Sequence, residues 1–108
     1  MLSGYRIMWA MVMFDLPVLT KRERKAAAAF RNDLLDLGFE MAQYSVYLRF
    51  CPTQARIDAL VSRIQICLPP TGKVSILVFT DKQYERTINF VGHQSVGKKQ
   101  PPSQLEMF

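Results

Sequence analysis

Residues 7–14 read IMWAMVMF, eight apolar residues in succession that are apolar on both alternating parities. Ile7, Trp9, Met11 and Met13 share one parity, and Met8, Ala10, Val12 and Phe14 share the other. Leu16-Pro17 stops the run before it reaches helical length, because proline cannot continue a helix. Residues 5–14 are therefore expected to form a strand buried on both faces, with Asp15 at its C-terminal end. Residues 73–80, KVSILVFT, are of the same kind, with Val74, Ile76 and Val78 on one parity and Leu77 and Phe79 on the other. Any fold for this chain has to keep water off both sides of one sheet.

Between these two strands the pattern alternates between helix and strand. Thr20 and Glu23 have capping-box spacing, Ala27, Phe30, Leu34 and Leu37 recur near the helical period, and Gly38 is placed to end the element, so residues 20–38 are expected to be a helix. Residues 39–50, FEMAQYSVYLRF, alternate from Tyr44 onward and are expected to split into two strands near Gln43. Pro52-Thr53 opens a second helix, with Ile57, Leu60, Val61, Ile64 and Leu68 on one face and Pro69-Pro70-Thr71-Gly72 closing it. Asp81 and Lys82 suggest a turn, and residues 87–91 a last short strand.

That order is the β-α-β-β-α-β pattern of a ferredoxin-like α+β sandwich with an extra short C-terminal strand. Both helices would pack on one face of the sheet, which leaves the second apolar parity of the first and last long strands exposed to water. A two-fold homodimer packed through its sheets removes that exposure. The chain is 108 residues long, enough for one domain, expected over residues 1–92; residues 93–108 are rich in Gly, Lys, Gln, Ser and Pro and are expected to be a flexible tail.

The remaining composition narrows the function classes. No apolar stretch approaches the roughly 18 residues that span a bilayer, and Asp15-Leu16-Pro17 interrupts anything resembling a secretion signal. Cys51 and Cys67 have neither metal-binding spacing nor a disulfide framework, and read as reduced core thiols of a cytoplasmic protein. The one histidine, His93, excludes His-rich metal sites and reads as a bystander. The net charge of +5 favours an anionic partner, nucleic acid before membrane.

Two sets of residues can carry chemistry. Asp15, at the tip of a buried strand, can bind a divalent cation; magnesium takes one or two carboxylates with waters and phosphate oxygens, and a two-fold axis nearby would supply the second carboxylate. The plainer alternative is an Asp that caps a loop or the following helix. Lys21, Arg22, Arg24, Lys25 and Arg31 decorate the first helix, four of them near its N-terminus, where positive charge opposes the helix dipole. That conflict points to phosphate contact rather than helix stability; the alternative is a solvated face. Arg56, Arg63, Lys98 and Lys99 add to the charge. Trp9, Phe14, Phe30 and Phe79 are expected in the core, and nothing separates Tyr44 from Tyr47 as a ligand contact.

The strand MVMFDLP with Asp15 at its tip, the basic helix KRERKAAAAFR and the segment GFEMAQYSVYLR together resemble the CRISPR-associated protein 2 family. The run Gln43-Tyr44-Ser45-Val46-Tyr47 is the most specific part, and the likeness extends over residues 5–92. The resemblance implies a ferredoxin-like homodimer whose last short strand pairs with the partner's sheet. It implies that Asp15 is a magnesium ligand and catalytic residue of a metal-dependent endonuclease acting on RNA or double-stranded DNA. It also implies a role in antiviral defence: spacer acquisition, in which the dimer binds DNA and bridges two dimers of the CRISPR-associated protein 1 integrase. The tail after Gly92 lies outside the shared motifs, and residues 105–108, LEMF, are expected to dock on a partner such as the integrase. Three other readings stay open: a DNA-binding scaffold without catalysis, a toxin-type ribonuclease of the same fold, and a ferredoxin-like module that binds a small ligand.

Overall fold

The computed structural model describes residues 7–92. The first strand, β1 (Met8–Asp15), includes Asp15 as its last residue; residues 5 and 6 of the expected strand lie outside the described residues. Helix α1 (Lys21–Asp36) has the expected capping box: Thr20 Oγ1 accepts from the Glu23 N–H, and the Glu23 carboxylate accepts from the Thr20 N–H. The same Glu23 oxygen accepts from the Leu19 N–H, and Glu23 sets a negative charge in the first turn among the surrounding cations. Gly38, at φ +91°, turns the chain out of the helix.

The segment after α1 divides as expected into β2 (Glu40–Gln43) and β3 (Val46–Cys51). Their pairing carries a register shift between Met41 and Gln43, and Ser45 takes the left-handed conformation at φ +62°. No Asn-Gly or Asp-Gly marks that turn, which is why its chemistry is hard to read from the residues. Helix α2 (Gln54–Ile66) is capped by Thr53, whose hydroxyl accepts from the Arg56 N–H. Strand β4 (Lys73–Thr80) follows.

The four strands lie in the order β2-β3-β1-β4 with all neighbours antiparallel, the arrangement of a ferredoxin-like fold. One face is covered by α1 and α2. Ala10, Val12, Phe14, Tyr47 and Cys51 from the sheet meet Phe30 and Leu34 of α1 and Ile57, Leu60 and Ile64 of α2. Phe14 packs edge-on against Phe30 at 5.3 Å and lies alongside Tyr47 at 5.7 Å. Leu68, expected on the buried side of the second helix, lies beyond its end and is exposed.

The other face carries the second apolar parity. The register aligns Trp9, Met11 and Met13 with Phe50, Leu48 and Val46 of β3, and Trp9 and Met11 with Phe79 and Leu77 of β4. Neither α1 nor α2 covers it. Leu77 is 49% exposed and Phe50 45% exposed, too much for core residues. Trp9 and Phe79, expected in the core, are instead half-buried on this face. Both residues alternate with a helix-facing neighbour, and nothing in a run apolar on both parities distinguishes the covered side from the bare one.

One expectation near the C-terminus is corrected. The Asp81-Lys82 turn is a short helix, α3 (Asp81–Glu85), opened by a second capping box between Thr80 and Gln83. Residues 87–91 form no strand within the single chain; the pairing that the resemblance implies for them is with a partner's sheet. Helix α3 directs the following residues over the bare sheet face, where Thr87, Asn89 and Phe90 line a groove with Met11, Val46 and Leu48 and with Met41 of the edge strand β2. Ile88 and Phe90 remain mostly in solvent. The expected tail at 93–108, with His93, Lys98, Lys99 and the LEMF terminus, lies outside the described residues.

Candidate functional site

Asp15 occupies the last position of β1, where its side chain alternates with the buried Phe14 and so belongs to the bare face with Met11 and Met13. It is exposed, and among the described residues no ion pair or hydrogen bond engages its carboxylate. The capping alternative therefore does not hold: the α1 cap is Thr20, which already satisfies the first-turn amides with Glu23. An unpartnered carboxylate at the rim of an apolar sheet is left available to an external ligand.

Three segments frame this end of the sheet. The β2–β3 turn abuts β1, with the Phe14 N–H donating to the Ser45 carbonyl at 3.0 Å. This places Tyr44, 74% exposed, at the same end as Asp15, whereas Tyr47 is buried in the core. The structure thus separates two tyrosines that the residues alone leave equivalent.

On the other side stands the α2–β4 loop. Gly72, at φ +98°, lies so close that a Cβ there would sit 2.7 Å from Leu16 Cδ2 and 2.8 Å from the Asp15 carbonyl oxygen. Gly72 therefore meets two demands at once, a left-handed backbone and close backbone approach. The sequence shows Gly72 only as a helix terminator; its contact with Asp15 depends on the β1–β4 pairing. Lys73, the next residue, is the direct cross-strand partner of Asp15.

The third segment is the start of α1. Lys21, Arg22, Arg24, Lys25 and Arg31 lie on the outward side of the helix, as expected. With Ala27, Phe30 and Leu34 turned to the sheet, the helical period places Lys21 and Lys25 opposite the buried stripe, Arg24 and Arg31 on one flank, and Arg22 on the other. Arg22 borders a groove of about 310 Å³ with Pro69 and Pro70. Arg24 is partly committed to the fold: its guanidinium donates to the carbonyls of Val18 and Leu19, both at 3.1 Å. The set is thus divided by role. Among the described residues, Lys21, Lys25 and Arg31 make no such contact, and all three are exposed.

The helix layer and the bare face lie on opposite sides of the sheet. The basic outward surface of α1 and the Asp15 carboxylate are therefore near one another along the chain but face different directions. They form two surfaces rather than one cleft.

The two cysteines are free thiols. Burial pushes the Cys51 thiol up, against the pull of Arg49 and Arg56. Cys67 is raised by burial and also by the Asp33 carboxylate nearby. Neither is poised as a nucleophile, which requires a lowered thiol pKa. Among the described residues no three His, Cys, Asp or Glu side chains cluster as a metal site, and no helix is long and apolar enough to cross a membrane.

A family model described as CRISPR associated protein Cas2 matches residues 8–87, from the start of β1 to just past α3. A protein of Paracidovorax avenae named CRISPR-associated endoribonuclease Cas2 is 57% identical over 108 residues, covering 100% of both chains. A protein of the same name from Flavobacterium psychrophilum is 43% identical over 107 residues, 99% of this chain and 93% of its own. Another, from Parvibaculum lavamentivorans, is 45% identical over 101 residues, 94% of this chain and 100% of its own. Matched by the family model through all four strands, and by the Paracidovorax avenae relative from end to end, the chain belongs to the CRISPR associated protein Cas2 family.

Proposed function

We propose that this protein is a subunit of CRISPR adaptation: a homodimer that binds DNA, bridges dimers of the CRISPR-associated protein 1 integrase during spacer acquisition, and has a magnesium-dependent endonuclease site at Asp15. The observation that carries the catalytic part is the exposed, unpartnered carboxylate at the tip of β1, on the rim of the sheet face that α1 and α2 leave bare. The relatives' name, endoribonuclease, makes RNA the first substrate to try and DNA the second.

The donor set limits how a cation is held. One chain offers Asp15 alone, since no three ligating side chains cluster among the described residues. Magnesium accepts one or two carboxylates and fills the rest of its shell with water and phosphate oxygens. Asp15 fits such an ion when a second copy's carboxylate or the substrate's phosphate completes the shell. The bound ion would polarise the phosphoryl oxygen and activate water. The protein's own contribution is to fix the carboxylate. Gly72 packs against the Asp15 carbonyl, and the Ser45 carbonyl holds the N–H of Phe14, so the backbone on both sides of the ligand is tied down.

A second reading, a DNA-binding scaffold without catalysis, is favoured by one observation. The basic surface of α1 faces away from Asp15, so DNA can be held there with no part for the carboxylate. Both readings share the dimer, because pairing two bare faces removes Leu77, Phe50 and their neighbours from water.

Asp15→Asn separates the readings. The nuclease reading expects loss of magnesium-dependent cleavage of labelled RNA or duplex DNA, with dimerisation and DNA affinity intact. Equal cleavage by wild type and variant, or no cleavage by purified wild type, removes the catalytic claim and leaves the scaffold.

A further inference from the structure

We propose that Lys73 is the phosphate-contacting residue of the Asp15 site, holding the phosphodiester of the nucleic acid on which Asp15 acts. This rests on the reading of Asp15 as the cleavage carboxylate.

Asp15 and Lys73 form the terminal register pair between β1 and β4. Directly opposed residues of antiparallel strands hold their Cβ atoms about 4.5–5.5 Å apart on the same face. Lys73 alternates with Val74, which packs against the helix-side core, so its side chain leaves from the bare face, as that of Asp15 does. Both residues are exposed, and among the described residues the ammonium is in no ion pair, with Asp15 or any other carboxylate.

The backbone beside the two is closely packed. Gly72 immediately precedes Lys73 and touches the Asp15 carbonyl so closely that no side chain fits between them. The lysine is therefore held in register with the carboxylate, although its flexible four-carbon stem remains free to swing.

This arrangement answers an electrostatic problem. A phosphodiester brought to a magnesium ion on Asp15 carries its own negative charge beside the carboxylate, and the basic surface of α1 cannot balance the remainder because it faces the other way. Lys73 supplies a cation on the same face, next to the carboxylate. A lysine in this position acts as a point charge on a non-bridging phosphate oxygen. The opposite role, in which the ammonium neutralises Asp15 and keeps divalent cations out, predicts effects of reversed sign.

The test uses the full chain with Lys73→Gln and Lys73→Arg, each also combined with Asp15→Asn to give a non-cleaving background. The probes are a fluorescent single-stranded RNA and a fluorescent DNA duplex, with Mn²⁺ binding followed by electron paramagnetic resonance. Lys73→Gln is expected to raise KM several-fold, more than it lowers kcat, and Lys73→Arg to restore most of the loss. In the Asp15→Asn background, Lys73→Gln should reduce the salt slope of binding by about 0.7 on the single strand or about 0.9 on the duplex. An unchanged slope on both probes, or tighter Mn²⁺ binding with faster cleavage, overturns the proposal. If Asp15→Asn itself still cleaves, the cleavage reading fails, while the salt slope continues to judge Lys73.

Discussion

Trp9 Nε1 donates to Asp81 Oδ1 at 2.8 Å, joining β1 to α3 across 72 positions of sequence. The ring of Tyr84 stacks on Trp9 at 4.4 Å, and the Asp81 N–H donates to the Ile7 carbonyl at 2.8 Å. These contacts hold α3 against the start of β1 and so decide where residues 87–92 cross the bare face. Trp9 is the chain's one tryptophan, which makes it a built-in reporter. Asp81→Ala is expected to cost about 1–1.5 kcal/mol, read as a lowered urea midpoint, with a red shift of native tryptophan emission as α3 loosens. An unshifted spectrum would show that the Tyr84 stacking and the Asp81 backbone hydrogen bond hold α3 without the indole–carboxylate contact.

Gly72→Ala should be among the most damaging small substitutions. The added Cβ meets both the Leu16 side chain and the Asp15 carbonyl, and φ +98° is unfavourable for any L-residue with a side chain. Overpacking and backbone strain together are expected to cost about 2–4 kcal/mol, measured by thermal or urea unfolding. Adding Leu16→Ala should not restore stability, because the backbone oxygen of Asp15 stays in place.

The thiols give a dependence on alkaline pH. Burial raises Cys51 above its ordinary value, so the folded state keeps the proton at a pH where the unfolded chain releases it. Stability from this source is complete below the ordinary thiol pKa and falls as pH rises from there through the folded value. Cys67 adds to the trend in the same direction. Cys51→Ala should flatten the decline of the urea midpoint across alkaline pH relative to the parent. An identical decline in both would exclude Cys51 as a source.

The basic residues of α1 are expected to divide in function. Replacing Lys21, Lys25 and Arg31 together by Glu should weaken DNA binding and lower its salt slope by about 0.9 for each phosphate no longer neutralised, with little change in melting temperature. Arg24→Glu should lower stability as well, because Arg24 braces the Val18 and Leu19 carbonyls. Filter-binding and thermal melting on the same preparations distinguish the two effects.

Much of the fold is written in local patterns. The Thr20–Glu23 capping box, the Ala27-Phe30-Leu34 stripe and the two apolar strands each follow from nearest neighbours, and each is found in place. Asp15 is visible in the sequence because a lone acid at the end of an apolar run is conspicuous. What stays hidden there depends on contacts distant along the chain. The roles of Lys73 and Gly72 arise only once β4 pairs with β1. The exposure of Tyr44 depends on the left-handed Ser45, a conformation its residue type does not announce. Residues 87–91 form no strand within the single chain: alternation marks a segment able to pair, and the resemblance gives that pairing to a second copy's sheet, which no local pattern specifies.

Closure of the bare sheet face by a second copy underlies both the nuclease and the scaffold readings. Sedimentation equilibrium of the full chain at low micromolar concentration, beside Leu77→Asp, tests this directly. The parent is predicted to be a dimer and the variant a monomer, or to lose its fold, because the new charge enters the centre of the paired faces. A folded, monodisperse parent monomer that does not associate as its concentration rises would contradict that closure.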